Sequence, residues 1–223
     1  MELKIIARLH GDFPDKFGLP RQSGLTHTRG IIVFEKPYRV REAVRGIEEF
    51  SHLWLLWGFD RIRQDTWSPT VRPPKLGGNR RTGVFATRSP FRPNPIGLTL
   101  VELLGVQETG EGLVLLVSGA DMADGTPIYD IKPYLPYTEA LPQARGGFSD
   151  AHRGDHLTVI FPDELKKNVP EEKLDALIEA LACDPRPAYI EDGERIYGFA
   201  YAGREVRFSV SGGTLTVRDI LPE

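Results

Sequence analysis

The sequence predicts a mainly β protein. An N-terminal β-barrel domain with a short helix is expected over residues 1–145, and a small α+β C-terminal domain over 156–223. Three observations predict this. Short apolar or β-branched runs bounded by Gly and Pro crowd the first half, the signature of close-set strands in a barrel or sandwich. No helical pattern separates one run from the next, which excludes a doubly wound parallel sheet. A loop-rich bridge from about Pro136 to Asp155, with Pro142, Gly146 and Gly147, then gives way to a segment with its own helix and strands.

The expected strands of the first half are LKIIARL (3–9), GIIVF (30–34), HLWLLWGF (52–59), TGVFAT (82–87), IGLTLVELL (96–104) and LVLLVSGA (113–120). The one helix falls at Tyr38–Phe50, where Val40, Val44 and Ile47 follow i, i+4, i+7, a face suited to plugging a barrel end. In the second half LTVIF (157–161) reads as a strand. Leu174, Leu177, Ile178 and Leu181 then set out an amphipathic helix over Pro170–Cys183. Glu171 and Glu172 suit its positive N-terminal end, and Pro185 stops it. YGFAYAG, REVRFSV and TLTVRDI follow as an antiparallel meander. No repeat or low-complexity tract is visible.

With 223 residues and 40% hydrophobic content the chain can bury a real core. No run of eighteen apolar residues exists to span a membrane, and MELKIIARLHGDF lacks the regions of a signal peptide. A single cysteine, Cys183, excludes an internal disulfide and fits a reducing cytoplasm, the expected location. It reads as a buried helix residue rather than a nucleophile. The net charge of −3 hides an asymmetry. Residues 60–92 hold eight basic side chains against Asp60 and Asp65, a surplus of six, whereas 162–184 is acidic. Such a basic segment is either a footprint for a polyanion or a solvated loop.

The sequence contains no GxSxG, P-loop, HExxH or CxxC, and no GxGxxG after a strand. His152 and His156 stand four apart, but Gly154 intervenes and a metal site needs more ligands, so none is expected. What stands out is Thr82–Gly97, TGVFATRSPFRPNPIG, where Arg88, Arg92 and Asn94 lie among Pro90, Pro93 and Pro95. Proline restricts its own φ and its neighbour, so the loop holds two guanidiniums and an amide at little entropic cost. That describes a binding loop on a scaffold, or a stiff loop whose arginines pair with carboxylates. Three further polar clusters adjoin strands: Pro20-Arg21-Gln22, the end of the aromatic strand at Asp60-Arg61, and Asp121 to Pro127 running into Tyr129-Asp130-Ile131-Lys132. Asp124 also suits an Asx-closed turn, and Asp130 with Lys132 a surface ion pair.

GVFATRSPFRPNPIG, VRPPKLGGN (71–79), EEFSHLWLL (48–56), GLPRQSGL (18–25) and DGTPIYDIKPYLPY (124–137) together resemble the TrmO (TsaA-like, YaeB) family. They cover the first half in order, and DPRPAY (184–189) resembles its C-terminal domain. The resemblance implies methyl transfer from S-adenosylmethionine to the N6 of threonylcarbamoyladenosine in tRNA, immediately 3′ of the anticodon. It also implies a β-barrel methyltransferase and a homodimer. Carried over by motif, the cofactor contacts are Pro20, Arg21, Gln22, Asp60, Arg61, Arg88, Leu98, Asp124, Gly125, Thr126 and Pro127. Related members have other residues at the positions of Asp60 and Arg61.

The acceptor N6 bears a carbonyl and is a poor nucleophile until its proton is removed. Asp130, Tyr129 and Lys132 are the candidates for that step, with no choice among them. Arg92 and Asn94 suit the substrate carboxylate, and Arg72, Lys75, Arg80 and Arg81 suit backbone phosphates. Phe85 and Phe91 belong either beside the sulfonium or in the core. Arg186 either reaches a partner subunit's pocket or lies in a motif that merely ends the helix. The competing readings are a methyltransferase of the same barrel acting on a small metabolite, and a non-catalytic S-adenosylmethionine- or RNA-binding module. Residues 1–145 are expected to bind cofactor unaided.

Overall fold

The computed structural model describes residues 2–62, 67–73, 80–152, 154–186 and 192–223. In chain order the strands of the first half are β1 (Ala7–Gly11), β2 (Arg29–Phe34), β3 (His52–Gly58), β4 (Thr70–Val71), β5 (Thr82–Gly83), β6 (Ile96–Thr109), β7 (Gly112–Ser118) and β8 (Pro127–Pro133). Six of them close a barrel in the order β1-β2-β7-β6-β3-β8. Every pairing is antiparallel, and the seam is Ala7 opposite Ile128 and Arg8 opposite Pro127. Alternation carries the core: on β3, Leu53, Leu55 and Trp57 are buried, and they meet Leu9, Ile32, Val101, Leu115, Val117 and Ile128 inside the ring. β4 and β5 form a separate two-stranded ribbon.

The expected helix at 38–50 is not an α-helix. The segment makes three short 3₁₀ turns, Lys36–Tyr38, Arg41–Val44 and Ile47–Glu49. Gly46 stands at φ +84°, a left-handed conformation that breaks any continuous helix. Val44 and Ile47 still pack on the barrel core, while Val40 is exposed. The expected strand at 82–87 is also shorter: β5 ends at Gly83 and a 3₁₀ turn, Val84–Ala86, follows.

Strand direction decides where the loops go. The connections β1–β2 (12–28), β3–β6 (59–95) and β7–β8 (119–126) all leave the same end of the barrel. Those three connections carry all four polar clusters picked out in the sequence.

The second unit holds β9 (Thr158–Ile160), β10 (Tyr197–Tyr201), β11 (Arg204–Ser211) and β12 (Thr214–Pro222), in the order β10-β11-β12-β9. The first three form the expected antiparallel meander, and β9 adds a parallel edge against β12. Short helices α1 (Pro136–Glu139) and α2 (Asp163–Lys166) precede α3 (Glu171–Ala182), which buries Leu177 and Leu181 against this sheet. The core of this unit also takes in residues from the first barrel loop. Phe13 is buried in it, and Phe17 and Leu19 pack at its edge. Gly18, at φ +88°, lies so close to the Phe199 ring that a Cβ would overlap it. The loop bearing Arg21 and Gln22 is thus seated on the C-terminal unit.

Candidate active site

At the loop end of the barrel, Gln22 and Arg88 meet: the Arg88 guanidinium donates to Gln22 Oε1 at 2.8 Å. Gln22 Nε2 turns back to the Arg21 carbonyl. Arg21 itself reaches the second unit, donating through Nη2 to the carbonyls of Arg186 (3.0 Å) and Asp184 (3.4 Å). Arg186 grips the Asp184 carboxylate with Nε and Nη2, each at 2.8 Å. Burial works to raise the Asp184 pKa, but the Arg186 hydrogen bonds and charge outweigh it and hold it below the ordinary value. Within the described part of DPRPAY, Arg186 therefore braces its own loop, and Pro187, Ala188 and Tyr189 lie outside the described residues.

The Asp124–Pro127 turn is built around Gly125 at φ +78°. Asp124 makes no Asx turn. Its Oδ1 accepts from the Gly11 N–H (3.1 Å) and sits 3.2 Å from His10 Nδ1, tying the turn to the end of β1. Arg8 donates to the Gly125 carbonyl at 3.0 Å, and Thr126 Oγ1 to Ala123 O at 2.7 Å. Arg61 bonds the carbonyls of Pro14 and Asp124 and so joins this corner, while Asp60 is exposed. Pro20 is buried beneath the Arg21 loop.

Leu98 is exposed on the outer face of β6. Leu56 pairs with it on one side and with Asp130 on the other. Two strand spacings put Leu98 and Asp130 roughly 10 Å apart on one surface. A bulge in the β3–β8 register falls at Tyr129, whose hydroxyl lies against Gly58, where no Cβ would fit. Asp130 and Lys132 form the surface ion pair, 2.9 Å apart and largely exposed. Lys132 lies opposite Trp54, four residues along β8 from Ile128. At strand rise that is roughly 13 Å from the loop end, so Lys132 is the worst placed of the three candidate bases.

Arg92 departs from expectation. Its Nε donates to Ser89 O, and its Nη2 to Val84 O and Thr87 O. Those bonds fold the proline-framed loop onto its own carbonyls, so Arg92 shapes the loop rather than presenting a free fork to a carboxylate. Asn94 is exposed. Arg72, Arg80 and Arg81 are exposed on and beside the β4–β5 ribbon, and Lys75 lies outside the described residues. Phe85 and Phe91 are not core residues; both are exposed. A groove of about 1500 Å³ runs between the two units. Arg21, Gln22, Arg81, Arg88, Phe85 and Arg186 are among its walls.

One residue of the site was passed over in favour of its neighbour. Asp121, just after β7, accepts from Thr99 Oγ1 at 2.6 Å, and Thr99 Oγ1 accepts from Trp57 Nε1 at 2.9 Å. The Ser23 N–H and the charge of Arg88 also favour its carboxylate, yet burial dominates and pushes its pKa up. Gly97 lets the Trp57 ring lie flat across β6, since a Cβ there would enter the indole. The sequence signal was present in the Asp-Met-Ala-Asp cluster, but the hydroxyl that meets the first aspartate belongs to Thr99, on the neighbouring strand and 22 residues back in the chain.

The Arg88–Gln22 pair lines this open groove, and the Asp124–Pro127 turn lies at the same end of the barrel. The family described as tRNA-methyltransferase O N-terminal domain matches residues 8–140, and that described as TrmO C-terminal domain matches 154–223. A tRNA (adenine(37)-N6)-methyltransferase of Escherichia coli K12 is 45% identical over 192 residues, covering 82% of this chain and 81% of that protein. A Pseudomonas aeruginosa protein described as a putative S-adenosylmethionine-dependent methyltransferase is 42% identical, with the same coverage. The crystal structure of TrmO from Pseudomonas aeruginosa superposes with a TM-score of 0.80 at 31% identity, covering 100% of this chain and 97% of that one.

Proposed function

The chain belongs to the tRNA-methyltransferase O family, and on that premise we propose that it methylates the N6 of adenine 37 in tRNA, with threonylcarbamoyladenosine as the form it accepts. The observation that carries the reading is the gathering of Arg21, Gln22, Arg88, Arg61 and the Asp124–Pro127 turn at one barrel end. A cytoplasmic homodimer belongs to the same proposal. Among the described residues no helix is long and apolar enough to cross a membrane.

S-adenosylmethionine, when bound, supplies a methyl carbon made electrophilic by the sulfonium. The protein's part is placement: nitrogen, carbon and sulfur must lie in line, and most of the acceleration comes from holding them there. Gln22 and Arg88, locked to each other, and the Gly125 turn would hold the donor. For N6 to act as the nucleophile, a base of this chain would take its proton. Among the residues first considered, Tyr129 and Asp130 stay candidates for that base. Asp121 joins them on position: it accepts from Thr99 and lies beside the Ser23 N–H and Arg88 at the same barrel end, with its pKa raised by burial.

The test is incubation with labelled S-adenosylmethionine and tRNA containing or lacking threonylcarbamoyladenosine. Label is expected in the first tRNA alone. Equal label in both would overturn the threonylcarbamoyl requirement, and label in neither would overturn tRNA as the substrate, with label in a small molecule instead favouring the metabolite reading.

A further inference from the structure

Trp67 and Phe85 are 49% and 75% exposed, unusual for side chains of their size. The β4–β5 ribbon brings them together, and the Val84 N–H bond to Pro69 O (3.0 Å) locks the two segments. Val84 is buried, so its neighbour Phe85 is turned outward. The rings stack with centroids 6.2 Å apart and planes inclined by 28°. Phe85 also lines the groove that holds Arg21, Gln22 and Arg88. The aromatic step therefore adjoins the candidate active site.

The charged residues described along 67–101 are all basic. Arg72, Arg80, Arg81 and Arg88 are all exposed beside the aromatic step. From Thr66 to Val101 the sequence holds no Asp or Glu. An isologous contact between two copies would set this positive surface against itself, which like charge disfavours. A polyanion with flat apolar faces fits both features at once. Unpaired nucleobases stack on exposed aromatics, and guanidiniums take the phosphates between them.

We propose that Trp67 and Phe85 form the platform on which an unpaired anticodon-loop base, neighbouring the methylated adenine, stacks. The proposal rests on the tRNA reading above. It is tested with an anticodon stem-loop RNA, measuring affinity across a salt series. Phe85→Ala and Trp67→Ala are each expected to weaken binding about tenfold or more. Calorimetric affinity for S-adenosylmethionine should stay unchanged in Trp67→Ala, and the salt slope should stay unchanged in both variants. Arg81→Ala should flatten the slope instead. Trp67→Phe should restore affinity while losing the quenching of indole fluorescence that RNA causes in the unmodified protein. Unchanged RNA affinity in both alanine variants would overturn the platform. So would a loss that tracks a change in oligomeric state by sedimentation, which would mark the patch as a contact between copies. If the unmodified protein bound no RNA, the tRNA reading itself would fail, a result distinct from either.

Discussion

Replacing Thr99 with Val tests the chain Trp57–Thr99–Asp121. Val nearly preserves the volume, so little cavity forms. The hydroxyl has two jobs, and both end. Asp121 loses a donor at 2.6 Å, a bond to a charged group worth about 1.5–3 kcal/mol. The Trp57 N–H, in a residue only 7% exposed, loses its acceptor at about 1–3 kcal/mol. The two overlap, and about 2–4 kcal/mol is expected in total. For a protein of this size that lowers Tm by roughly 5–15 °C. The cost should depend on pH, and the sign follows from linkage. Burial raises the Asp121 pKa above the ordinary carboxylate value, so the native state binds more protons than the unfolded one in the window just above it. Its stabilising contribution is complete below that value and is lost as pH rises through the native pKa. The Thr99 bond opposes the rise, so its removal lifts the native pKa further and the penalty of the substitution grows with pH. Chemical denaturation of both proteins at several pH values measures this. A cost below about 0.5 kcal/mol, or one that does not vary with pH, would show that the hydroxyl does not support an ionising carboxylate.

Gly18→Ala should destabilise by more than about 2 kcal/mol, because it combines a left-handed φ with overlap of the Phe199 ring; a denaturation midpoint within error of the parent would refute this. A chain ending near Asp150 should lose most affinity for S-adenosylmethionine in calorimetry, reversing the sequence-based expectation for residues 1–145. Phe13, Phe17 and Leu19 would have no core to enter, leaving Arg21 and Gln22 unseated, and undiminished binding would contradict this. The Glu179 carboxylate bonds the His27 N–H and Nδ1 and raises the His27 pKa by that bond and its charge. Glu179→Gln should return the pKa toward 6.5 in an NMR titration. It should also remove a small, salt-sensitive stabilisation that is present at low pH and fades as pH rises through the native value.

Most barrel strands were legible because a wall with one buried face writes its period of two into the sequence. β8 was not, because Pro127 and Pro133 bracket it and Asp130 and Lys132 occupy its outward face. Its inward residues, Ile128 and Ile131, were too few to stand out. The segment 38–50 had helical spacing, yet Gly46 divides it, and spacing alone does not register a backbone break. The four polar clusters could be read as motifs, but their meeting at one end follows from strand order, which no local window contains. Arg92 was misjudged for a related reason. Its partners are carbonyls of its own loop, and carbonyls leave no mark in a sequence.

The edge strand β9 pairs with β12, and α2, α3, β10 and β11 lie between them in the chain. Synthesis runs the other way from what the first loop needs. Residues 12–22 emerge early, yet the surface that receives Phe13 is finished only when β12 has been made. On the ribosome the barrel can close as soon as β8 pairs with β1, while the loop bearing Arg21 and Gln22 waits for the last strand. The corner bearing Arg21 and Gln22, proposed to hold the methyl donor, is therefore seated only after the last strand has been made.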